Sequence, residues 1–190
     1  MTVLVGIFVG GRARRMGGIA KGLLVAPGGD EPIVSRLARL AREAYPSSRV
    51  VLVGDNAAYA GLGLQALADA PMGVGPLGGL CALLDAADRE RAGAAVALAC
   101  DLPFVSGALL ARLSAERLDA DALAPRPGGV WQPLFARYAP GPASIAGRAA
   151  LEAGERSLYR VLERLGERTA ELELSPEEEA ALTDWDEPVG

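Results

Sequence analysis

TVLVGIFVGGRARRMGGIAKGLL, Thr2–Leu24, sets two patterns back to back. The first, TVLVGIFVG, is a short β-branched run closing on glycine. A strand buried on both faces, as in a parallel sheet, reads this way. The second, from Gly10 onward, is a glycine-bracketed loop bearing Arg12, Arg14, Arg15 and Lys21. No acidic residue precedes Asp30, so residues 1–29 carry +4, while the 190-residue chain has a formal net charge of -5. Such asymmetry points to a local anion site rather than a broad nucleic-acid or membrane footprint. Lys21 is the only lysine among 19 basic residues. A compact ammonium on a flexible stem suits a point contact to a phosphate oxygen.

Outward from this stretch, strand and helix patterns alternate. EPIVSRLARLAREAY places Ile33, Val34, Leu37, Leu40, Ala41 and Ala44 on one helical face, with Pro32 in its first turn. SRVVLVG predicts a second buried strand, LGLQALAD a third ending at Asp69, and GAAVALACD a fourth ending at Asp101. Between the last two, GPLGGLCALLDAAD predicts a helix entered through Gly-Pro; after the fourth strand, SGALLARLSAE predicts a helix capped by Ser106. This alternation implies a parallel α/β sheet with helices on both faces. Beyond about residue 115 the pattern changes. DALAPRPGGVWQPLFARYA predicts two strands about a Pro-Gly-Gly turn, an antiparallel addition; two helices, a last strand in TAELEL and a capped acidic turn follow. The length suits one domain over 1–190.

Composition excludes several chemistries. The chain has no histidine, which removes a Ser–His–Asp triad, a His-ligated zinc site and an imidazole base. Its two cysteines, Cys81 and Cys100, lack metal or redox spacing and read as buried thiols. The run Val3–Val9 is too short for a membrane span and lacks signal-peptide flanks, so the expectation is a soluble, cytoplasmic protein.

In an open parallel sheet ligands bind beyond the carboxyl ends of the strands. The loop Gly10–Gly22, the segment Gly54-Asp55-Asn56, Asp69 and Asp101 should therefore gather along one edge. Glycines let backbone N–H groups approach an anion closely, so the first loop reads as a phosphate cradle or as a solvated basic turn; it is neither a P-loop nor G-x-G-x-x-G. Asp101, in ALACDLPF, reads as a Mg²⁺ ligand, since that ion favours one or two carboxylates plus substrate phosphates, or as a turn or capping aspartate. Asp69 with Gly75, Gly78 and Gly79 reads as a base or ribose contact, or as an ordinary Gly-Pro connection.

Together these segments resemble the molybdenum cofactor guanylyltransferases (molybdopterin-guanine dinucleotide biosynthesis protein A), within the NTP-transferase-like superfamily. The matching residues are Phe8-Val9-Gly10-Gly11, Arg15-Met16-Gly17, Lys21 and Leu23, then Asp69, Gly75-Pro76-Leu77 and Gly79, then Cys100-Asp101-Leu102-Pro103-Phe104. WQPLFARY (Trp131–Tyr138) and AGERSLYRVL resemble two later family segments. The chain departs in Ala20, where the family carries an acidic residue, and in its ending, DWDEPVG.

The resemblance implies a three-layer Rossmann-like nucleotidyltransferase fold of the nucleotide-diphospho-sugar transferase type, mostly parallel with an antiparallel addition. It implies a nucleotide-binding half at 1–115, an acceptor-binding half at 116–190, and Mg²⁺-dependent transfer of GMP from GTP to molybdopterin with release of pyrophosphate. Asp101 would hold the metal, with Asp186 as second ligand, and Lys21 and Arg15 would neutralise phosphates. Phe8, Val9, Gly10, Gly11, Gly54, Asp69, Gly75, Pro76 and Leu77 would meet the nucleotide. Arg156 would hold the molybdopterin phosphate or lie as a surface arginine at a helix start. GTP, molybdopterin, and molybdoenzyme apoproteins or their chaperones are the implied partners. The competing expectations are a cytidylyltransferase acting on another phosphorylated acceptor and a nucleotide-binding module with reduced turnover. RNA binding is disfavoured by the acidic remainder and few aromatics.

Overall fold

The apolar run Val3–Phe8 enters the structure as an interior strand of the sheet, paired on both sides. The computed structural model describes residues 2–9, 20–26 and 28–183. Among these, one seven-stranded sheet contains β1 (Val3–Phe8), β2 (Ser48–Val53), β3 (Gln65–Leu67), β4 (Ala94–Ala99), β5 (Ala122–Ala124), β6 (Phe135–Tyr138) and β7 (Thr169–Glu171), in the order β3-β2-β1-β4-β6-β5-β7. The helices are α1 (Ile33–Ala44), α2 (Pro76–Arg89), α3 (Gly107–Ala115), α4 (Pro140–Glu152), α5 (Tyr159–Leu165) and α6 (Pro176–Ala181). β1 pairs in parallel with both β2 and β4, β2 with β3, and β5 with β7. Among the described strands β6 alone runs antiparallel, between β4 and β5. The mostly parallel sheet with an antiparallel addition is thus borne out.

The continuous apolar run of β1 follows from its position. Val3, Val5, Ile7 and Val9 face one core with α1 and α3; Leu4 and Phe8 face the other with α2, α4 and α5. All six residues of the strand are buried. Gly6 is required because a Cβ there would stand 2.7 Å from Leu83 Cδ2 on α2. Each fully buried leucine in these layers contributes on the order of 1.5–3 kcal/mol. Ser106 caps α3 as expected, its Oγ accepting from the Leu109 amide at 3.1 Å. Ser175 and Glu178 form a reciprocal capping box on α6. Arg112 Nη1 donates to Glu178 at 2.7 Å, tying α6 to α3.

Three boundaries differ from expectation. Pro32 is the N-cap of α1, with ψ at 144°, rather than part of its first turn, and it bridges to Val25. β3 ends at Leu67, not Asp69, because the Ala70 amide turns to the Gly78 carbonyl at 3.1 Å. β4 ends at Ala99, not Asp101, and the chain enters a turn there.

Of the two thiols expected to be buried, Cys81 is and Cys100 is only half-buried, because it lies just past the end of β4; together with the buried phenols they make the fold sensitive to alkali. Burial pushes Cys81 and Cys100 from 9.0 to about 11 and Tyr59 from 10.0 to about 12, and raises Tyr45 and Tyr138 well above the usual range. Between the unfolded and folded values the folded chain binds more protons, so stability falls as pH rises. Thermal unfolding should show a midpoint that declines from pH 9, where the thiols begin to titrate in the unfolded chain, through pH 12. A flat midpoint between pH 9 and 11 would contradict this.

Candidate active site

The four parallel strands end in register. Phe8 pairs with Val53 and with Ala99, and Val53 pairs with Leu67. One residue further, Val9 donates its N–H to Val53 O at 3.0 Å, and Gly54 donates to Leu67 O at 2.9 Å. Cys100 donates to Phe8 O at 3.3 Å. Asp69 and Asp101 each lie two residues past their strands, at the same edge and half-buried. Freed from the ladder, their carboxylates sit at the rim of the sheet rather than inside it.

Lys21 reaches this edge from the other side. It opens a short 3₁₀ turn, Lys21–Leu23, in which the Leu24 amide donates to Lys21 O at 3.0 Å. The Ile33 amide donates to Leu24 O at 3.0 Å and moors the turn to α1. The Gly22 N–H donates to the Tyr59 hydroxyl at 3.1 Å. Tyr59 belongs to a second 3₁₀ turn, Ala57–Leu62, whose Asn56 cap accepts from the Ala58 amide at 3.0 Å. Burial pushes the Tyr59 phenol up to about 12, with smaller contributions from Cys100 and Asp101 in the same direction.

The charges of Lys21 and Asp101 both bear on Cys100. The Cys100 thiol is pushed up first by burial and then by the Asp101 carboxylate, while the Lys21 ammonium acts in the opposite sense. Both charges therefore act on one thiol. At about 11, Cys100 stays protonated at neutral pH and offers no thiolate nucleophile.

Asp69 lies over the first turns of α2. A Cβ on Gly79 would come 3.2 Å from Asp69 Oδ1, 3.2 Å from Phe8 Cε1 and 2.8 Å from Val53 Cγ1. Glycine at 79 thus lets the helix approach this corner. Burial raises the Asp69 carboxyl above its ordinary value. Gly75 caps α2 at φ 77°, a backbone conformation that favours glycine, and Pro76 occupies the exposed first turn. The Leu77 side chain is wholly buried in the core. Gly54 is buried with φ at 103°. Phe8 and Val9 are buried too, leaving mainly backbone to offer. Across the rim, Arg156 Nη1 lies 3.4 Å from Gly73 O, so a residue of the later half meets the β3–α2 loop.

Gly10, Gly11, Arg15 and Asp186 lie outside the described residues. Tyr59 is the residue that reading the sequence missed. Its only local signal is a large aromatic in an Ala/Gly-rich connection behind a capping asparagine. Among the described residues no three His, Cys, Asp or Glu side chains form a metal-binding group, and no helix is long and apolar enough to cross a membrane.

Comparison with known proteins gives the family and the fold. A molybdenum cofactor guanylyltransferase of Pseudomonas entomophila (strain L48) is 34% identical over 165 residues, spanning 82% of this chain and 80% of the relative. The crystal structure of molybdopterin-guanine dinucleotide biosynthesis protein A from Archaeoglobus fulgidus superposes with a TM-score of 0.61 at 28% identity, covering 85% of this chain and 79% of that one. For the fold alone, the 2-C-methyl-D-erythritol 4-phosphate cytidylyltransferase of Thermus thermophilus gives a TM-score of 0.65 at 16% identity, over 96% and 92% of the two chains. The model of the MobA-like NTP transferase domain matches residues 5–169. With a strand-end rim that collects a lysine and two aspartates and a match over most of its length, the chain belongs to the MobA-like NTP transferase family and is a nucleotidyltransferase.

Proposed function

We propose that the chain transfers GMP from GTP to the terminal phosphate of molybdopterin and releases pyrophosphate. What supports this reading is that the Lys21 turn, tied through Gly22 to Tyr59 after β2, and Asp101, two residues past β4, both stand at the carboxyl edge of the sheet. The names of the relatives supply the nucleotide and the acceptor. In the reaction an oxygen of the acceptor phosphate bonds to the α-phosphorus of GTP. The bond from that phosphorus to the bridging oxygen breaks, and its electron pair leaves with pyrophosphate. The acceptor is already an anion near neutral pH, so a chain without histidine needs no protein base. The work of the protein is alignment and neutralisation of charge.

Lys21 neutralises the phosphates, together with Arg15. Backbone groups of Val9, Gly10 and Gly11 line the triphosphate. Asp69, Gly54, Gly75, Pro76, Leu77 and Phe8 surround base and ribose. Arg156 holds the acceptor phosphate. Residues 1–115 and 116–190 act as nucleotide and acceptor halves of one domain. The residues suit Mg²⁺: Asp101 is one half-buried carboxylate beside a phosphate lysine, without a prebuilt cage among the described residues, and that ion takes few carboxylates plus substrate oxygens. Asp101, with Asp186, would hold it, and its charge would stabilise the triphosphate oxygens. The reaction belongs to the cytoplasm, and its product passes to molybdoenzyme apoproteins or their chaperones.

Calorimetry with Mg²⁺ should show tighter binding of GTP than of CTP, and molybdopterin should elicit pyrophosphate release only with GTP. Tighter CTP binding overturns the choice of nucleotide. Binding of GTP without pyrophosphate release overturns the transfer itself.

A further inference from the structure

We propose that Tyr59 is a positioning residue that sets the Lys21 turn relative to Asp101 through its hydroxyl. The inference rests on the phosphate role given above to Lys21. Tyr59 is 2% exposed, so it meets no substrate directly. Its hydroxyl accepts from the Gly22 N–H at 3.1 Å, across 37 residues of chain. One hydrogen bond therefore ties the residue after the lysine to the connection that follows β2, at the same edge of the sheet as Asp101.

The turn has little freedom to settle elsewhere. A Cβ on Gly22 would stand 2.3 Å from Val34 Cγ2 on α1 and 3.1 Å from both Tyr59 Cε1 and its hydroxyl oxygen. Gly22 is thus clamped between α1 and the tyrosine. The mooring of Leu24 to Ile33 holds the far end of the turn. Without the hydroxyl, the ring can still fill its site, but the Gly22 amide loses its acceptor and the backbone of Lys21 is no longer tied to the turn that follows β2. A misplacement of about 1 Å can cost on the order of a hundredfold in rate.

The test is a double-mutant cycle of Tyr59→Phe and Lys21→Ala, read as pyrophosphate release from GTP with molybdopterin and Mg²⁺, with thermal unfolding of every variant. Tyr59→Phe alone should lower kcat on the order of tenfold, with KM for GTP changed by less than about twofold and the unfolding midpoint within a few degrees of the parent. In the Lys21→Ala background the same substitution should cost less than about twofold, because the group it positions is gone. Equal losses in both backgrounds overturn the positioning role and leave that of Lys21 standing. A collapse of the unfolding midpoint in Tyr59→Phe makes the hydroxyl purely structural and also overturns it. Full turnover in Lys21→Ala overturns both the phosphate role and the inference built on it.

Discussion

Asp101→Asn is expected to fold as the parent does and to release pyrophosphate at least ~100-fold more slowly. The substitution keeps the shape of the side chain and removes its charge. Asp101 is half-buried in the turn after β4, beside Cys100, so the local packing is not built on its carboxylate. Its loss removes the negative group that raises both Cys100 and Tyr59. Stability should therefore hold, and the unfolding midpoint at neutral pH should not fall by more than a few degrees. What is lost is an anionic oxygen at the rim, the group proposed to hold the divalent counterion of a triphosphate. Nucleotide binding measured with and without Mg²⁺ separates the two contributions: the variant should show a much smaller dependence on the metal. Turnover at the parental rate would remove Asp101 from the site.

Lys21→Ala should lower kcat/KM for GTP by roughly tenfold to a hundredfold, and Lys21→Arg should recover little of it. Lys21 stands at the start of a turn held by α1 on one side and Tyr59 on the other. Its ammonium and the Asp101 carboxylate bear on the same thiol with opposite sign. A point charge there can follow the phosphate oxygens as pyrophosphate separates. A guanidinium is planar and larger, and Gly22 leaves the turn no room to shift, since a single added Cβ already meets Val34 at 2.3 Å. Steady-state kinetics on the two variants check this, and an active Lys21→Arg would show that charge alone suffices.

Much of the fold was legible because burial writes itself locally. β1 is apolar throughout since α1 and α3 cover one face and α2, α4 and α5 the other. The face of α1 was readable from the 3.6-residue spacing of Ile33, Val34, Leu37, Leu40 and Ala41, all buried. The antiparallel strand β6 was foreshadowed by Pro127-Gly128-Gly129, although β5 is only Ala122–Ala124. Strand ends were less readable. Ala68-Asp69 and Cys100-Asp101 continue apolar runs, and only hydrogen bonds to distant partners, such as Ala70 N–H to Gly78 O, decide where pairing stops. The aspartates could be put at the rim because a carboxylate has no place inside an apolar sheet.

The chemistry available at this site was determined by the sequence alone: a single lysine in an acid-free opening, glycines where backbone must come close, aspartates behind apolar runs, and no imidazole anywhere. Only the tertiary structure decided who meets whom. It set the order β3-β2-β1-β4-β6-β5-β7, buried the Leu77 side chain, and brought the Tyr59 hydroxyl to the Gly22 amide. The physical reason is range. Side-chain periodicity is a property of neighbours a few residues apart, whereas the contact of Gly22 with Tyr59 spans 37 residues and exists only after the parallel strands have closed in register.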